Sequence, residues 1–507
     1  MPRARFDPVG LVTTSSPSAS SMATSILVVV VLPLVPVTTT TPRRTGATRR
    51  SMRRGSTFSA TRPGRAEPPL PSRRLTRPAR RPRAQAAASR STLGLYPGGC
   101  SALPEALDAS DRLGSPADGS TEQPGGHQMA QTRWPGLWRR TPRPWHGMTP
   151  AVWWRLWARN RFAVSPGRWP MALAVTALAP LNAAAGRWQR SRYGKVVAVA
   201  AIDPPPLFII GHWRSGTTLL HELLALDPQF RCPTTYQCMA PAHFLLTEGF
   251  VTRRLGFLLP PHRPLDGMRL GWGLPQEDEF ALANLGALSP YLAWAFPRRG
   301  GAWEENLDPR SFPPAARDHW RRALLTFLRA LTLSGPGRLV LKSPPHTARL
   351  GLLVEMFPGA RFIHLVRHPH QMVPSFVAAW RRMADAVGLQ SRCREDLEEA
   401  LLDLGSALYR RFDADREGLD PGRIVELRYE DLAADPAGEV EGVYGSFGLP
   451  HSERIRPLVQ AYRAEVGPYP MSRHDPSPLL RRAIAERWGA YARRYGYDLD
   501  AGPERRT

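Results

Sequence analysis

Short runs of apolar residues alternate with segments of helical periodicity along the chain after residue 205. The apolar runs are four to six residues long and rich in aliphatic residues, as buried strands are. They lie at 207–210, 338–342, 361–366 and 423–427. Segments with helical patterns follow them at 216–226, 347–356, 370–383 and 431–447. This alternation predicts an α/β fold in which helices flank a central parallel sheet.

The first 128 residues lack such periodicity. They mix Ser, Thr, Pro, Gly and Arg, a composition that buries too little apolar surface to offset the entropy lost on folding. An apolar run at 25–36 is broken by two prolines and is too short to span a bilayer. We predict that 1–128 is a disordered tail or a targeting segment. The alternative that we favour is a start site assigned too far upstream, with Met129 or Met148 as the true start.

Tryptophan and arginine are concentrated in the segment that leads into the first strand. We predict a helical lead-in at 129–204 and one folded domain at 205–497. The tryptophans of the lead-in include Trp153, Trp154, Trp157, Trp169 and Trp188. An apolar stretch at 171–181 is interrupted by Pro180 and is below spanning length. The lead-in is expected either to pack against the following domain or to rest on a membrane surface through its Trp and Arg side chains.

The basic charge lies mostly in the tail. The formal net charge is +25, and residues 1–100 contribute +15 of it, with 17 arginines and two acidic residues. The remaining excess is ordinary for a protein that binds a polyanionic ligand. Of the 68 basic residues only Lys195 and Lys342 are lysines. A lysine at a motif position is therefore notable.

The cysteine content argues against a disulfide framework. The chain has four cysteines, and Cys232 and Cys238 have no second pair at the spacing of a zinc site. We expect free thiols in a reducing compartment and a cytoplasmic location, with peripheral membrane contact as the alternative.

A tight turn between the first strand and its helix carries the first chemical motif. The sequence FIIGHWRSGTTLLHELL places four residues between Gly211 and Gly216, as in the phosphate loop of nucleotide triphosphatases. Backbone N–H groups at a helix start form an anion site. The usual loop lysine is replaced by Thr217, and the cation is Arg214 instead. No later strand ends in the aspartate that would hold magnesium, so the loop departs from the triphosphatase pattern.

This loop resembles the 5′-phosphosulfate loop of sulfotransferases, in which Lys or Arg precedes Ser-Gly-Thr-Thr. The arginine is typical of the bacterial and tyrosylprotein-sulfotransferase-like branches. The resemblance covers about 205–495. It implies a P-loop-like sulfotransferase fold and 3′-phosphoadenosine 5′-phosphosulfate (PAPS) as co-substrate, with no metal expected. It also implies cofactor binding by Arg214, Ser215, Gly216, Thr217 and Thr218.

A second motif, FIHLVRHPHQMVPSF, follows a later strand. It places Ser375 eight residues after Arg367. In the family this Arg and Ser pair binds the 3′-phosphate of the cofactor. A guanidinium gives bidentate hydrogen bonds to phosphate, and a hydroxyl completes the set.

Three weaker matches follow the family order. Lys342 in RLVLKSPPH corresponds to the lysine that faces the transferring sulfuryl group, where charge develops as the bond breaks. Tyr429 in the YEDL segment is expected near the adenine. Ser472 and Arg473 are expected to close over the cofactor.

The general base is the least determined part of the site. The glutamate that follows the first helix in the tyrosylprotein branch has no counterpart in RCPTTYQCMAP. The best local candidates lie in LPQEDEFAL, where Pro275 predicts a helix start. Glu277 is our leading base, and Asp278 and Glu279 are its alternates, although three acids there also suit a helix dipole. His346 is a second-line candidate.

Aromatic residues at 265–303 are predicted to line the acceptor cleft. They are Trp272, Tyr291, Trp294, Phe296 and Trp303. This favours a small-molecule or lipid-like acceptor with a bulky apolar part, while a peptide or a carbohydrate stays open. Core packing would explain several of these aromatics equally well.

Two other functions compete with sulfuryl transfer. A P-loop nucleotide kinase predicts magnesium dependence and ATP turnover. A nucleic-acid-binding protein that uses the Arg-rich tail predicts steeply salt-dependent binding.

Overall fold

A computed structural model describes residues 143–259, 269–298, 302–391, 393–467 and 475–500. The predicted tail and the first part of the lead-in lie outside the described residues. So do two of the predicted cofactor-binding residues, Ser472 and Arg473.

Five parallel strands form the central sheet in the order β2-β3-β1-β4-β5. The strands are β1 Leu207–Gly211, β2 Phe230–Arg231, β3 Arg338–Lys342, β4 Arg361–Val366 and β5 Ile424–Arg428. The central strand pairs with β3 through Phe208↔Leu341 and with β4 through Ile209↔Ile363. Because all strands run in one direction, the turns and side chains that follow them lie at one edge of the sheet.

Sixteen α-helices belong to the described part of the chain. They are α1 Pro150–Arg159, α2 Trp169–Val199, α3 Thr217–Leu224, α4 Thr235–Met239, α5 Phe244–Arg254, α6 Asp278–Asn284, α7 Leu292–Ala295, α8 Ala302–Glu305, α9 Pro314–Leu333, α10 Leu350–Met356, α11 Pro369–Val387, α12 Leu397–Arg416, α13 Tyr429–Ala434, α14 Pro436–Phe447, α15 Ile455–Val466 and α16 Pro478–Arg494. Within the described ranges, no helix is long and apolar enough to cross a bilayer.

The sheet separates two hydrophobic cores. Successive side chains of a strand point to opposite faces, so Phe208 and Ile210 enter one core while Leu207 and Ile209 enter the other. All four are fully buried. Burial on both faces explains why the strands read as continuous apolar runs, and the predicted α/β class is confirmed.

The lead-in helices belong to the first of these cores. Trp145 and Trp153 are fully buried there together with Phe208. The indole N–H of Trp145 also donates to the backbone oxygen of Val387, 2.8 Å away. The inner face of the lead-in is therefore an integral part of the fold.

The helix predicted to start at Pro275 begins later. Pro275 forms an isolated antiparallel bridge with Thr234, and α6 begins at Asp278. Glu277 has extended backbone angles as the N-cap, so its side chain precedes the first turn. The prediction of three acids inside one helical turn was wrong for this residue, because a long-range pairing extends the chain up to it.

Candidate active site

Two glycines give the turn after β1 its shape. Gly211 has φ +142°, and a Cβ there would lie 2.4 Å from the backbone oxygen of Leu365. Gly216 has φ +96°, and its Cβ would lie 2.2 Å from Cδ2 of Tyr429. Only glycine allows these close approaches, which bring the turn against β4 and against the segment after β5.

The turn is braced from inside, and it presents Arg214 and two threonines. The Ser215 hydroxyl donates to the backbone oxygen of His212 at 2.8 Å, so this side chain stabilises the turn. Arg214 has a positive φ of 68°, a rare backbone state for a residue with a side chain. Thr217 and Thr218 open α3 and line the adjoining cavity.

Arg214, Arg367 and Ser375 come together at this edge of the sheet. Nε of Arg214 donates to Oγ of Ser375 at 3.1 Å, and Nη1 of Arg367 donates to the backbone oxygen of Arg214 at 2.9 Å. The Arg367 guanidinium lies over the ring of Tyr429, 4.2 Å from its centroid. Burial raises the pKa of Tyr429, although the nearby positive charges of Arg367 and Arg214 act to lower it. Both cations are thus close to this ring.

Lys342 and Glu277 form a second polar cluster beside the turn. Lys342 is 2% exposed, and its Nζ lies 2.5 Å from Oε1 of Glu277 and 3.3 Å from Oγ1 of Thr218. The other Glu277 oxygen accepts a hydrogen bond from the Tyr291 hydroxyl. A carboxylate at the cavity wall is therefore held between a cation and a phenol.

The two neighbouring acids point elsewhere. Asp278 accepts from the Ser343 hydroxyl at 2.8 Å and lies 2.7 Å from Nε2 of His346, with all three side chains buried. Glu279 forms a bidentate pair with Arg349 at 2.6 and 3.0 Å, and both are fully buried. These contacts bind α6 to the segment after β3.

The contact with His346 also shifts the pKa of Asp278. Burial by itself raises the pKa of Asp278, but the His346 charge and the hydrogen bonds from His346 and Ser343 outweigh burial and hold this pKa below its ordinary value. The Asp278 carboxylate and the His346 ring are thus enclosed together, an arrangement typical of a structural contact.

One cavity of about 500 Å³ joins these features. Its polar end is formed by the Arg214 turn, Glu277, Arg367 and Tyr429. Its apolar part is lined by Trp213, Leu270, Phe280, Trp294, Phe376, Trp380 and Met383. An apolar pocket with a few convergent polar groups is typical of a small-molecule site.

The aromatics predicted from 265–303 divide between cavity and core. Tyr291 and Trp294 line the cavity. Trp272 instead packs on Tyr236 and donates its indole N–H to the backbone oxygen of Leu255 at 2.9 Å. Phe296 and Trp303 are buried and do not belong to the described cavity lining.

Helix α11 contributes a wall of the cavity that the sequence motifs did not predict. Phe376, Ala379, Trp380, Met383 and Val387 from this helix line the cavity. Their spacing of three and four residues places them on one helix face. Such a stripe, beginning soon after Arg367, is the signal that could have identified them.

Among the described residues, no three His, Cys, Asp or Glu side chains come together in a group that could hold a metal ion. The described residues instead supply cationic side chains: the guanidinium groups of Arg143, Arg214, Arg367 and Arg382 line the cavity, and the Lys342 ammonium group contacts Glu277.

Comparison with known proteins gives matches to one family. A model described as the sulfotransferase family matches residues 205–453. The omega-hydroxy-beta-dihydromenaquinone-9 sulfotransferases Stf3 of Mycobacterium bovis and Mycobacterium tuberculosis are each 41% identical over 362 residues, covering 71% of this chain and 93% of the relative. The crystal structure of sulfotransferase STF9 from Mycobacterium avium covers 69% of this chain and 97% of its own, with 17% identity and a TM-score of 0.46.

Proposed function

Because this chain belongs to the sulfotransferase family, we propose that it transfers the sulfuryl group of PAPS to a hydroxyl group of a lipid-like acceptor. One observation supports the donor assignment: the two motifs that we propose bind anions are in contact with each other at one edge of the sheet. Arg367 donates to the backbone of Arg214, and Arg214 donates to Ser375. A doubly phosphorylated nucleotide requires two such cationic positions.

The side chains present suit this donor. Arg214, Thr217, Thr218 and the backbone around Gly216 would hold its 5′-phosphosulfate end, with Ser215 bracing the turn. Arg367 and Ser375 would hold the 3′-phosphate, since a guanidinium and a hydroxyl supply several donors. The ring face of Tyr429 contacts the Arg367 guanidinium in a cation–π interaction, which would hold Arg367 in position.

When bound, PAPS supplies an activated sulfuryl group whose transfer breaks the bond between sulfur and the 5′-phosphate oxygen. Lys342 lies beside the turn and would stabilise the negative charge left on that oxygen. Glu277 would accept the proton of the acceptor hydroxyl as the new oxygen–sulfur bond forms. The Tyr291 hydroxyl fixes the orientation of the Glu277 carboxylate for this task.

The apolar part of the cavity favours a hydrocarbon-rich acceptor over a carbohydrate. Tryptophan, phenylalanine, leucine and methionine side chains line it beyond Glu277. The Stf3 relatives are named for a menaquinone that carries an omega-hydroxyl group. We propose that the acceptor here is likewise a hydroxyl group on an isoprenoid quinone or a related lipid.

Calorimetric titration of the full chain with 3′,5′-diphosphoadenosine and with ADP tests the donor assignment. We expect a clear preference for the ligand that carries the 3′-phosphate, with or without magnesium. Equal affinity for the two nucleotides would contradict the proposal. Magnesium-dependent ATP turnover would instead support the nucleotide-kinase alternative.

Incubation with PAPS and an omega-hydroxylated isoprenoid quinone, followed by mass spectrometry, tests the acceptor class. Sulfation of the quinone is expected, and a simple sugar offered at the same concentration serves as the comparison. Sulfation of the sugar alone would contradict the acceptor class while leaving the donor assignment intact.

A further inference from the structure

The outward face of α2 is apolar over its first half. Every exposed residue between 169 and 186 is apolar: Trp169, Pro170, Leu173, Ala177, Pro180 and Ala184. Trp169 and Leu173 are 42% and 52% exposed. The inward face of the same helix is also apolar, with Ala172, Val175 and Leu178 buried. A helix that only faces water would carry polar residues on its outer side.

Aromatic rings from α1 and the following turn extend this face. Trp154 and Phe162 are 48% and 51% exposed, and both contact the buried Trp157 at centroid distances of 5.3 and 5.9 Å. Trp169 contacts the same ring at 5.8 Å. The exposed rings are therefore held in place by one buried indole.

Exposed arginines belong to the same segment as these rings. Arg155, Arg159 and Arg161 are exposed on α1 and in the turn after it, and residues 143–202 contain no Asp or Glu. We call the exposed Trp154, Phe162, Trp169 and Leu173, with these three arginines, the Trp–Arg face. Aromatic side chains next to arginines are typical of helices that lie in the interface of a lipid bilayer.

We propose that the Trp–Arg face lies on an anionic lipid bilayer. Arginine side chains would contact the headgroups, while the aromatic and aliphatic side chains enter the headgroup and acyl boundary. This contact requires no sulfuryl transfer and does not depend on the proposed acceptor.

The positive charge of this face makes two other occupants unfavourable: a second copy of the chain and the N-terminal tail. In a symmetric pair of chains the same patch meets itself, so the arginines would face arginines. The N-terminal tail is also basic, with 17 arginines and two acidic residues in its first 100, and would be repelled. An anionic surface is complementary where these two are not.

The inner side of α2 connects the Trp–Arg face to the acceptor cavity. Nδ2 of the buried Asn182 donates to the backbone oxygens of His146 at 2.6 Å and of Met148 at 3.1 Å. Pro144, in the same short 3₁₀ segment as His146, lines the cavity. The helix that carries Trp169 and Leu173 therefore also contacts the segment that contributes Pro144 to the cavity wall, an arrangement suited to an acceptor dissolved in the bilayer.

Vesicle flotation of the full chain tests this proposal. We expect the wild type to float with phosphatidylglycerol-containing vesicles and to float weakly with phosphatidylcholine alone. The triple variant Trp154→Gln, Trp169→Gln, Leu173→Gln keeps every charge and the whole tail, and its partition coefficient should fall by about tenfold or more. Leu479→Gln, which replaces an 80% exposed leucine on α16, is the matched control and should float as the wild type does.

Several results would overturn the proposal. Unchanged flotation of the triple variant would assign membrane binding to the tail, and no flotation of the wild type would exclude the contact. A triple variant with an altered sedimentation coefficient but unchanged flotation would show that the face is a contact between chains.

Titration with 3′,5′-diphosphoadenosine checks that the triple variant is folded. If it is not, Arg155→Gln, Arg159→Gln, Arg161→Gln provides the second test, in which loss of flotation supports the contact and unchanged flotation contradicts it.

Discussion

Nη1 of Arg367 donates a hydrogen bond to the backbone carbonyl oxygen of Arg214, at 2.9 Å and across 153 positions of sequence. The contact joins the residue after β4 to the turn after β1. A change at Arg367 therefore affects one proposed phosphate site directly and the other through the backbone of the turn.

The first prediction concerns the 3′-phosphate. Arg367→Ala should weaken binding of 3′,5′-diphosphoadenosine by about 10- to 100-fold, since hydrogen bonds to charged groups contribute about 1.5–3 kcal/mol. ADP affinity should change much less. Calorimetry measures both, and Arg381→Ala, at an exposed arginine of α11, is the control. An equal loss for both nucleotides would show that the residue acts only through general charge or folding.

The second prediction concerns Lys342. Lys342→Gln should lower kcat by about 10²–10³ while diphosphoadenosine affinity changes little, because the ammonium acts on charge that develops during transfer. Steady-state kinetics with a detergent-solubilised acceptor provides the measurement. Lys195→Gln, which replaces the exposed second lysine of the chain, should leave kcat unchanged. An unchanged kcat for Lys342→Gln would show that this lysine ends the strand but has no role in sulfuryl transfer.

The third prediction separates three adjacent acids. Glu277→Gln should lower kcat by about 10²–10⁴. Asp278→Asn should instead lower the free energy of unfolding by about 1–3 kcal/mol, because it disrupts the buried hydrogen bonds that the carboxylate makes with Ser343 and His346. Urea denaturation and kcat are measured on both variants. Normal kcat for Glu277→Gln, with loss of kcat for a stable Asp278→Asn, would move the base to Asp278.

The fourth prediction compares two tryptophans that are almost equally buried, at 6% and 7% exposure. Trp294→Leu removes a wall of the cavity and should raise the acceptor KM about tenfold. Trp272→Leu removes a ring that packs on Tyr236 and should lower stability without changing KM. KM values and melting temperatures distinguish the two roles. If the two variants shift KM equally, the assignment of the apolar cavity to the acceptor fails.

The fifth prediction concerns pH. Burial lowers the pKa of His212 from its ordinary value of 6.5 to about 4, and the hydrogen bond with the Trp213 backbone oxygen opposes this in part. The unfolded chain therefore binds more protons than the folded chain between these pH values, and the free energy of unfolding falls as the pH falls through that window.

His212→Asn should reduce this pH slope by about one proton at most, measured by urea denaturation at several pH values between 7 and 4. His146 and His243, whose pKa values burial also lowers to about 4, keep part of the slope in the variant. An unaltered slope in His212→Asn would show that His212 does not contribute.

Local patterns were sufficient to predict the strands of the sheet other than β2 and the turn between Gly211 and Gly216. Buried parallel strands are continuous apolar runs, and a phosphate-type turn is defined within six residues, so both are visible in the sequence. The two-residue strand β2 was missed because Phe230 and Arg231 are strand residues only through their pairing with β3. The roles of the site residues stay predictions.

The sequence by itself determined the α/β class, the family and the order of the motifs proposed to bind anions, because each is written in short contiguous segments. It did not determine which of Glu277, Asp278 and Glu279 faces the cavity. Only the tertiary structure decided this, because adjacent side chains diverge at the start of a helix and each is fixed by a distant partner. Those partners are Lys342, His346 and Arg349, brought to the start of α6 by the last residue of β3 and the chain that follows it.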